Sequence, residues 1–353
     1  MNMTTEVNLF QKTIRRENSG RPPVWFMRQA GRYHAHYQNL RSANSFIDIC
    51  KKPEVAAEAA MGPIEDFGFD AGILFSDLLF PLEVMGMGLE YSPGPKLEWH
   101  LKTTGDAGRL QSGAALAEQL SFQADAIRLT KQRLPSSKGF LGFVGGPLTL
   151  YCYAIEGSHQ GALESARQGI KDGRYDLFCA KLIDLLVQNM VLQAKAGADT
   201  IAILDTCAGE FSPDVFKNVA VPVLDEVMRR FKALCPDTPI TYYSKKTGEQ
   251  HWQALVDLPI DCLGIDWNHN LADVLRSWSD RWAIQGNIDP HWLFLSTDEL
   301  VNRLSQVFSE VKALPEECRY GWICGLGHGV MPATPEDNVR AFLATQKEFF
   351  NDD

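Results

Sequence analysis

Short apolar runs alternate along this chain with stretches of helical pattern, and this alternation constrains the fold more than any other feature. The eight apolar runs are Val24–Phe26, Ala71–Phe75, Phe140–Val144, Thr200–Leu204, Ile240–Tyr243, Cys262–Ile265, Trp282–Gln285 and Gly321–Cys324. They lack period-two alternation, which is typical of strands covered on both faces. Strands that alternate with helices pair in parallel through right-handed crossovers. The pattern therefore predicts an α/β fold, a closed (β/α)8 TIM barrel.

Helical patterns fill the stretches between these runs. They cover Pro53–Phe67, Ala114–Arg133, Asp176–Ala196, Pro213–Ala233, Glu249–Val256, Leu271–Trp278, Asp298–Val311 and Pro335–Phe349. A doubly wound open sheet is the alternative fold, but no Gly-x-Gly-x-x-Gly turn follows the first run. No Pro/Ser-rich linker interrupts the chain, so we expect a single domain over residues 1–353. The excess over a typical barrel of about 250 residues falls in an N-terminal extension and long active-site loops such as Phe80–Gly113.

Charge and cysteine content narrow the function classes. The chain has 34 Lys and Arg against 44 Asp and Glu, a net charge of −10. Such a chain lacks the broad basic face that nucleic acid or an anionic membrane requires, so we expect neither as a partner. The N-terminus does not resemble a signal peptide, and the longest uncharged run, Gly139–Ile155, is short for a membrane span. None of the eight cysteines forms a C-x-x-C pair, which indicates reduced thiols and a cytoplasmic protein.

In a barrel, the residues just after each strand build the active site. Arg28 and Arg32 follow the first run in a loop that Gly31 allows to turn tightly, and two guanidinium groups there favour binding of carboxylates or phosphates. Asp77 follows the second run, where a carboxylate either takes part in the chemistry or caps the next turn; position alone does not decide. A carboxylate in a poorly solvated barrel needs donors or a cation, which the N–H groups of a substrate can provide.

Three further residues are candidates with commoner alternatives. Tyr153 can bury its ring and offer a hydroxyl, although most such tyrosines belong to the core. Thr206 can bind an anion or cap a helix, and capping is the commoner role. His328 stands between Gly327 and Gly329, which permit close approach of the backbone to a ligand and favour a site.

Several motifs are missing from the sequence. There is no P-loop, no G-x-S-x-G and no H-E-x-x-H. His34 and His36 are close in sequence but lack an acid or cysteine at matching spacing, so we expect no metal site. The pair Lys245-Lys246 is typical of a solvated surface.

Six segments occur in the order of a known family. They are Pro23–Tyr33 (PVWFMRQAGRY), Gly68–Tyr91, Gly145–Gly157, Leu204–Pro213, Ile284–Pro290 and Gly325–Pro335. The first, with its RQAGRY string, resembles the hallmark of the uroporphyrinogen decarboxylase family, and the resemblance covers nearly the whole chain. It implies a cofactor-free barrel, usually a homodimer, that converts the four acetate side chains of uroporphyrinogen III to methyl groups and gives coproporphyrinogen III.

The resemblance also implies roles for individual residues. Arg28 and Arg32 match the arginines that hold substrate carboxylates, and Asp77 matches the acid that accepts hydrogen bonds from the pyrrole N–H groups. Asp77 and Arg28 are the implied catalytic residues. The implied substrate-binding residues are Arg28, Gln29, Ala30, Gly31, Arg32, Phe46, Asp77, Tyr153, Thr206 and His328.

The chain departs from the family pattern at four places: Gly145-Gly146-Pro147 replaces the usual Gly-Ala-Pro, Gly325 replaces an Asn, and two further changes lie near these residues. His34-Ala35-His36 replaces the usual Leu-Pro-Glu, and Asp205-Thr206-Cys207 replaces Asp-Ser-Trp. Two alternative functions stay open. A zinc-dependent corrinoid or thiol methyltransferase of the same superfamily would need a His/Cys zinc site, and the chain has no His-x-Cys pair. A non-catalytic tetrapyrrole-binding protein would not need Asp77.

Overall fold

The computed structural model describes residues 7–92, 94–158 and 161–350. The first six residues of the expected N-terminal extension and the last three residues of the expected domain lie outside this part. The helices are α1 Leu9–Ile14, α2 Ala35–Ala43, α3 Phe46–Lys51, α4 Pro53–Phe67, α5 Phe80–Leu82, α6 Ser121–Arg133, α7 Pro147–Glu156, α8 Glu164–Lys171, α9 Arg174–Lys195, α10 Pro213–Val215, α11 Val221–Leu234, α12 Glu249–Gln253, α13 Leu271–Trp278, α14 Thr297–Lys312 and α15 Glu336–Phe350.

Seven parallel strands form the central sheet in the order β1-β4-β5-β6-β7-β8-β9. They are β1 Ala71–Ile73, β4 Gly139–Gly145, β5 Thr200–Asp205, β6 Ile240–Ser244, β7 Cys262–Gly264, β8 Ala283–Ile288 and β9 Trp322–Leu326. A separate antiparallel hairpin pairs β2 Glu90–Tyr91 with β3 Pro95–Lys96. Since neighbouring barrel strands are all parallel, their carboxyl ends lie at one end of the sheet.

The Val24 segment connects the two edge strands of this sheet. Val24 forms a parallel bridge to Cys324 in β9, and its carbonyl accepts the N–H of Asp70, directly before β1. The sheet therefore closes and the predicted TIM barrel is confirmed. The prediction of a full strand over Val24–Phe26 is wrong, because the structure has only this bridge. Pro22 and Pro23 precede it and lack the N–H donors of a strand ladder.

The helix α9 packs against the barrel. Of the helices in the described ranges, it alone is long and apolar enough to cross a membrane, by length and composition. Most of its apolar window is buried inside the protein, as in the core helix of a soluble protein. Leu182, Leu185 and Leu186 on it are fully buried.

Two predicted helices are interrupted. The first half of Ala114–Arg133 is a 3-10 helix, Ala114–Leu120, which continues directly into α6. The prediction over Pro213–Ala233 becomes α10, one π-helical turn and then α11. Pro222 lies in the first turn of α11, where its missing N–H is tolerated but where an uninterrupted helix would lose a hydrogen bond.

The predicted long loop Phe80–Gly113 is folded. It contains α5, a π-helical turn over Glu83–Met87, the β2–β3 hairpin and a 3-10 helix over Thr104–Arg109. Apolar side chains hold this insertion on the barrel, and Phe80, Met85 and Leu101 are fully buried. The insertion thus places Tyr91 of β2 near Asp77.

Asp70 holds the closing segment in place. Its carboxylate accepts two hydrogen bonds from Arg21, at 2.7 and 2.6 Å, and one from the N–H of Val24, at 2.9 Å. Burial opposes ionisation of Asp70, but the hydrogen bonds and charges of Arg21, Lys138 and Val24 outweigh it. The pKa of this carboxyl group therefore lies below its usual value.

We expect Asp70→Asn to lower the free energy of unfolding at pH 7 by about 2–3 kcal/mol, since it leaves Arg21 without its carboxylate. This is below the loss expected for a fully buried pair, because the Arg21 side chain is 21% exposed. The loss should shrink as pH falls through the lowered pKa of Asp70, where the wild-type carboxylate is itself protonated.

Urea-induced unfolding at several pH values measures this effect. Asp273→Asn is the matched control, because Asp273 pairs with Arg276 on the exposed face of α13 and should contribute only about 0–1 kcal/mol. Equal losses in the two variants would contradict the role given to Asp70.

Candidate active site

The loop from Arg28 to Arg32 is anchored by its own side chains. Gln29 is buried, its amide oxygen accepts the N–H of Phe26 at 3.1 Å, and its NH2 group donates to the carbonyl of Ala71 at 3.0 Å. The hydroxyl of Tyr33 donates to the carbonyl of Gln29 at 2.8 Å. Gln29 therefore fixes the loop against β1, and both its amide oxygen and its NH2 group take part in that anchoring.

Arg28 is held in an unusual backbone conformation. Its φ is 62°, in the left-handed region that costs a side-chain-bearing residue energy, and such strain is concentrated at functional sites. Its side chain crosses Gly329, where an added Cβ would lie 2.6 Å from Arg28 Cδ. The glycine after His328 is thus required to let Arg28 pass.

Neither Arg28 nor Arg32 forms a salt bridge with an acid in the described part of the chain. Both side chains are exposed. On a protein with a net charge of −10, two exposed arginines without carboxylate partners among the described residues can pair with an anionic ligand.

Asp77 lies four residues beyond β1 in the turn that leads into α5. Its Oδ1 accepts the N–H of Leu79 at 2.8 Å. Burial raises the pKa of Asp77, and the Leu79 N–H, the Tyr91 hydroxyl and the charge of Arg28 offset part of that rise. The side chain keeps some exposure to solvent, but protein atoms surround its carboxylate closely. Asp77 is thus a poorly solvated acceptor with few donors.

Tyr153 is a residue of α7 and lies near Asp77. Burial raises the pKa of its phenol, the charges of Asp77 and Cys207 raise it further, and Arg28 partly offsets the rise. The structure therefore brings Arg28, Asp77 and Tyr153 together although they are far apart in sequence. Thr206, next to Cys207, follows β5 and is half-buried at the same end of the barrel.

His328 is oriented by Tyr243. The Tyr243 hydroxyl donates to the carbonyl of Gly327 at 2.8 Å and lies 3.1 Å from His328 Nδ1. Since that hydroxyl has one proton, His328 Nδ1 must carry the proton shared with it. The rings are stacked, with centroids 6.1 Å apart and planes at 5°. Nε2 of a neutral His328 is therefore an acceptor.

Phe46 and Arg32 lie at the edge of this group. The Phe46 ring is 4.7 Å from that of Tyr91, which interacts with Asp77. Burial raises the pKa of Tyr37, and the charges of Arg41 and Arg32 offset part of that rise, so the Arg32 charge lies near α2. Arg28, and not Arg32, is the arginine whose charge acts on the pKa of Asp77.

Sequence reasoning missed three aromatic residues of the site. They are Tyr91, Tyr243 and Trp267, whose ring lies 6.4 Å from that of His328. It also assigned Lys245 to the solvated surface, whereas Lys245 is half-buried with Nζ 5.2 Å from the centre of the Trp267 ring. The only signal was position at strand ends, since aromatic residues in apolar runs resemble core residues.

His34 and His36 pair with different acids of α4. His34 Nε2 lies 2.7 Å from Asp66 and His36 Nε2 lies 3.2 Å from Glu58. Within residues 7–92, 94–158 and 161–350, no three His, Cys, Asp or Glu side chains are grouped to hold a metal ion. These histidines instead attach α2, which follows the arginine loop, to α4.

The fold and the site together indicate one class of protein. A parallel barrel with a desolvated carboxylate, unpaired arginines and an oriented histidine at its carboxyl end is a TIM-barrel enzyme site for an anionic substrate. Residues 5–349 match the family model described as uroporphyrinogen decarboxylase (URO-D). The chain belongs to the uroporphyrinogen decarboxylase family, and the resemblance found in the sequence is confirmed.

Two curated relatives illustrate the match. The uroporphyrinogen decarboxylase of Chloroherpeton thalassium is 34% identical over 346 residues and covers 97% of both chains. That of Legionella pneumophila (strain Lens) is 33% identical over 350 residues, or 97% of this chain and 96% of the relative.

Solved structures support the fold alone. A methyltransferase from Methanosarcina mazei matches with a TM-score of 0.76 at 18% identity, covering 98% of this chain and 100% of its own. A putative vitamin-B12 independent methionine synthase from Listeria monocytogenes matches with a TM-score of 0.54 at 14% identity, covering 93% and 96%.

We expect Asp77→Asn to raise the melting temperature at pH 7.5 by about 1–3 °C. Because burial raises the pKa of Asp77, ionising it costs the folded chain more than the unfolded chain, and this cost is present only above the ordinary pKa. The gain should shrink as pH falls through the raised pKa of Asp77 and vanish below the ordinary pKa of a carboxyl group. Calorimetry across this pH range tests it, and a lower melting temperature for the variant at every pH would contradict the desolvation of Asp77.

Proposed function

We propose that this protein is a uroporphyrinogen decarboxylase that converts the four acetate side chains of uroporphyrinogen III to methyl groups and gives coproporphyrinogen III. The observation that carries this is Asp77, a desolvated carboxylate beside Arg28. A porphyrinogen offers it pyrrole N–H donors, and its carboxylates complement the arginines at the mouth. Membership of the family supports the same reaction.

The reaction needs an electron sink for the carbon that loses CO2. Protonation of the α carbon of the pyrrole ring, next to the carbon that bears the acetate, makes the ring a cation with positive charge on the acetate-bearing carbon. The bond between the methylene and carboxylate carbons then breaks, and its electron pair passes into the cationic ring as CO2 leaves. Protonation of the resulting methylene gives the methyl group, and loss of the proton added to the ring carbon restores the pyrrole. One proton is consumed for each CO2 released.

Asp77 provides the electrostatic term of this mechanism. Its negative charge lies beneath the N–H groups of a ring that becomes positive, in a site with little water to screen it. Arg28 binds the reacting carboxylate, so we give Asp77 and Arg28 the catalytic roles. No cofactor is part of this proposal, because the pyrrole ring itself accepts the electrons.

The remaining residues bind the substrate. In the proposed arrangement Arg32 pairs with a side-chain carboxylate, Phe46 and Tyr153 contact the macrocycle, and Thr206 and His328 offer polar groups at its edge. Gln29, Ala30 and Gly31 contribute through the backbone of the loop.

The proposal extends to the state of the protein in the cell. We infer that the protein is a homodimer in the cytoplasm and that each chain forms one domain over residues 1–353. We infer neither nucleic acid nor a membrane as a partner. Sedimentation velocity tests the dimer, and a single species with the mass of one 39.4 kDa chain would contradict it.

Asp77→Asn should lower turnover of uroporphyrinogen III by about 10²–10³-fold, because one preorganised charge is lost from the transition state. The measurement is anaerobic incubation followed by chromatography of the oxidised porphyrins. Binding of coproporphyrin III to the variant, followed by fluorescence, checks that the site survives. Near-normal turnover would refute the role of Asp77, and binding without turnover by the wild type would favour a tetrapyrrole-binding protein.

Arg32→Gln should raise KM for uroporphyrinogen III about tenfold or more, since a charge-assisted hydrogen bond contributes about 1.5–3 kcal/mol. Its kcat should change less, because the arginine charge that acts on Asp77 is that of Arg28. Arg41→Gln is the matched control, because Arg41 is exposed on α2 and its guanidinium donates to the carbonyl of Asn44. Equal KM values for Arg32→Gln and wild type would remove Arg32 from the site.

A further inference from the structure

The Tyr91 hydroxyl is buried beside Asp77 without a well-formed hydrogen bond. The hydroxyl is inaccessible to solvent, and no described residue lies at a distance and angle that would form a hydrogen bond with it. The Asp77 carboxylate is nevertheless close enough to interact with it. A buried hydroxyl left in this state costs free energy, so its retention calls for a reason.

The ring of Tyr91 is fixed independently of its hydroxyl. Tyr91 pairs with Pro95 in the β2–β3 hairpin, and its ring lies 4.7 Å from that of Phe46 at an interplanar angle of 57°. Phenylalanine would keep these apolar contacts and would leave no polar atom unpaired. The packing therefore does not explain the hydroxyl, whereas its position beside Asp77 does.

We propose that Tyr91 is a positioning residue whose hydroxyl, together with the N–H of Leu79, orients the Asp77 carboxylate towards the pyrrole N–H groups of the substrate. This inference rests on the proposed function. A carboxylate offers about four lone-pair directions. The Leu79 N–H donates to one lone pair of Oδ1. In the proposed complex the Tyr91 hydroxyl donates to a second lone pair when the carboxylate binds the substrate. The remaining directions then face the macrocycle.

The charges around the pair keep Tyr91 a donor. Burial raises the pKa of Tyr91 first, and the charges of Asp77, Cys50 and Glu83 raise it further. Glu83 is itself paired with Lys51 at 2.7 Å. Tyr91 thus stays protonated throughout the working pH range and can only donate its proton to the carboxylate.

The same interaction acts on Asp77. Burial raises the pKa of Asp77, and the groups that lower it are the Leu79 N–H, the Tyr91 hydroxyl and the charge of Arg28. Removing the hydroxyl leaves only two of these three. Less of the ionised form is then present at acidic pH, where the reaction requires the carboxylate.

Tyr91→Phe tests this proposal. We expect the acidic limb of the pH dependence of kcat/KM for uroporphyrinogen III to move up by about half a unit to one unit, the shift expected for one lost hydrogen bond. We expect kcat at the pH optimum to fall about 3- to 10-fold. Tyr37→Phe is the matched control, since Tyr37 is a buried tyrosine whose ring lies 5.3 Å from that of Phe75 in the adjoining cluster, and its profile should coincide with that of the wild type.

A second measurement separates this inference from the proposed function. Carbon-detected NMR follows the Asp77 carboxyl group without substrate, with Asp77→Asn used to assign its signal. A higher Asp77 pKa in Tyr91→Phe than in the wild type supports the inference even if the protein does not turn over uroporphyrinogen III. The lack of turnover would refute only the proposed function. Coincident Asp77 titrations in the two proteins, or coincident pH profiles, would overturn it.

Discussion

Closure of the barrel by the Val24 segment is the constraint on which the site depends. The residues on either side of Val24 hydrogen-bond to Cys324 of β9, whereas the Val24 carbonyl accepts the N–H of Asp70 and the Val24 N–H donates to the Asp70 carboxylate. The segment then runs directly into the loop with Arg28, whose side chain crosses Gly329 after the last strand. The backbone of this segment thus joins the first and last strands, and the Arg28 side chain passes close to the loop after the last strand.

Two carboxylates near β1 show how the protein divides stability from chemistry. Asp70, before the strand, has the hydrogen bonds and charges it needs, and the pKa of its carboxyl group is lowered. Asp77, beyond the strand, has a poorly solvated carboxylate with one well-formed donor among the described residues, and its pKa is raised. The donors that Asp77 lacks are those that a substrate with several N–H groups brings. A short strand therefore separates a structural carboxylate from one kept ready for a ligand.

The sequence predicted the parts of this protein that depend on local pattern. Pro53–Phe67 and Leu271–Trp278 are helices with the predicted bounds, because each has an apolar face and clear ends. The arginine loop and Asp77 were found because they follow apolar runs. Tyr91 was not, since its role arises from a hairpin inside a stretch that the sequence presents as a loop. Nor could local pattern show that Tyr243 orients His328, because 85 residues separate them.

The proposed substrate would supply the acidic partners that several positive charges of this protein lack. The chain is acidic overall, yet Arg28, Arg32 and the half-buried Lys245 at the carboxyl end of the barrel form no salt bridge within its described residues. Arg28 follows the closing segment, whereas Lys245 follows β6, so the cations approach the mouth from different strands. A ligand with one carboxylate would satisfy one of them, whereas a macrocycle with carboxylates around its rim can satisfy all three while its N–H groups face Asp77. The arrangement therefore favours a polycarboxylate macrocycle over a smaller anion, and in the proposed mechanism the Tyr91 hydroxyl orients the Asp77 carboxylate.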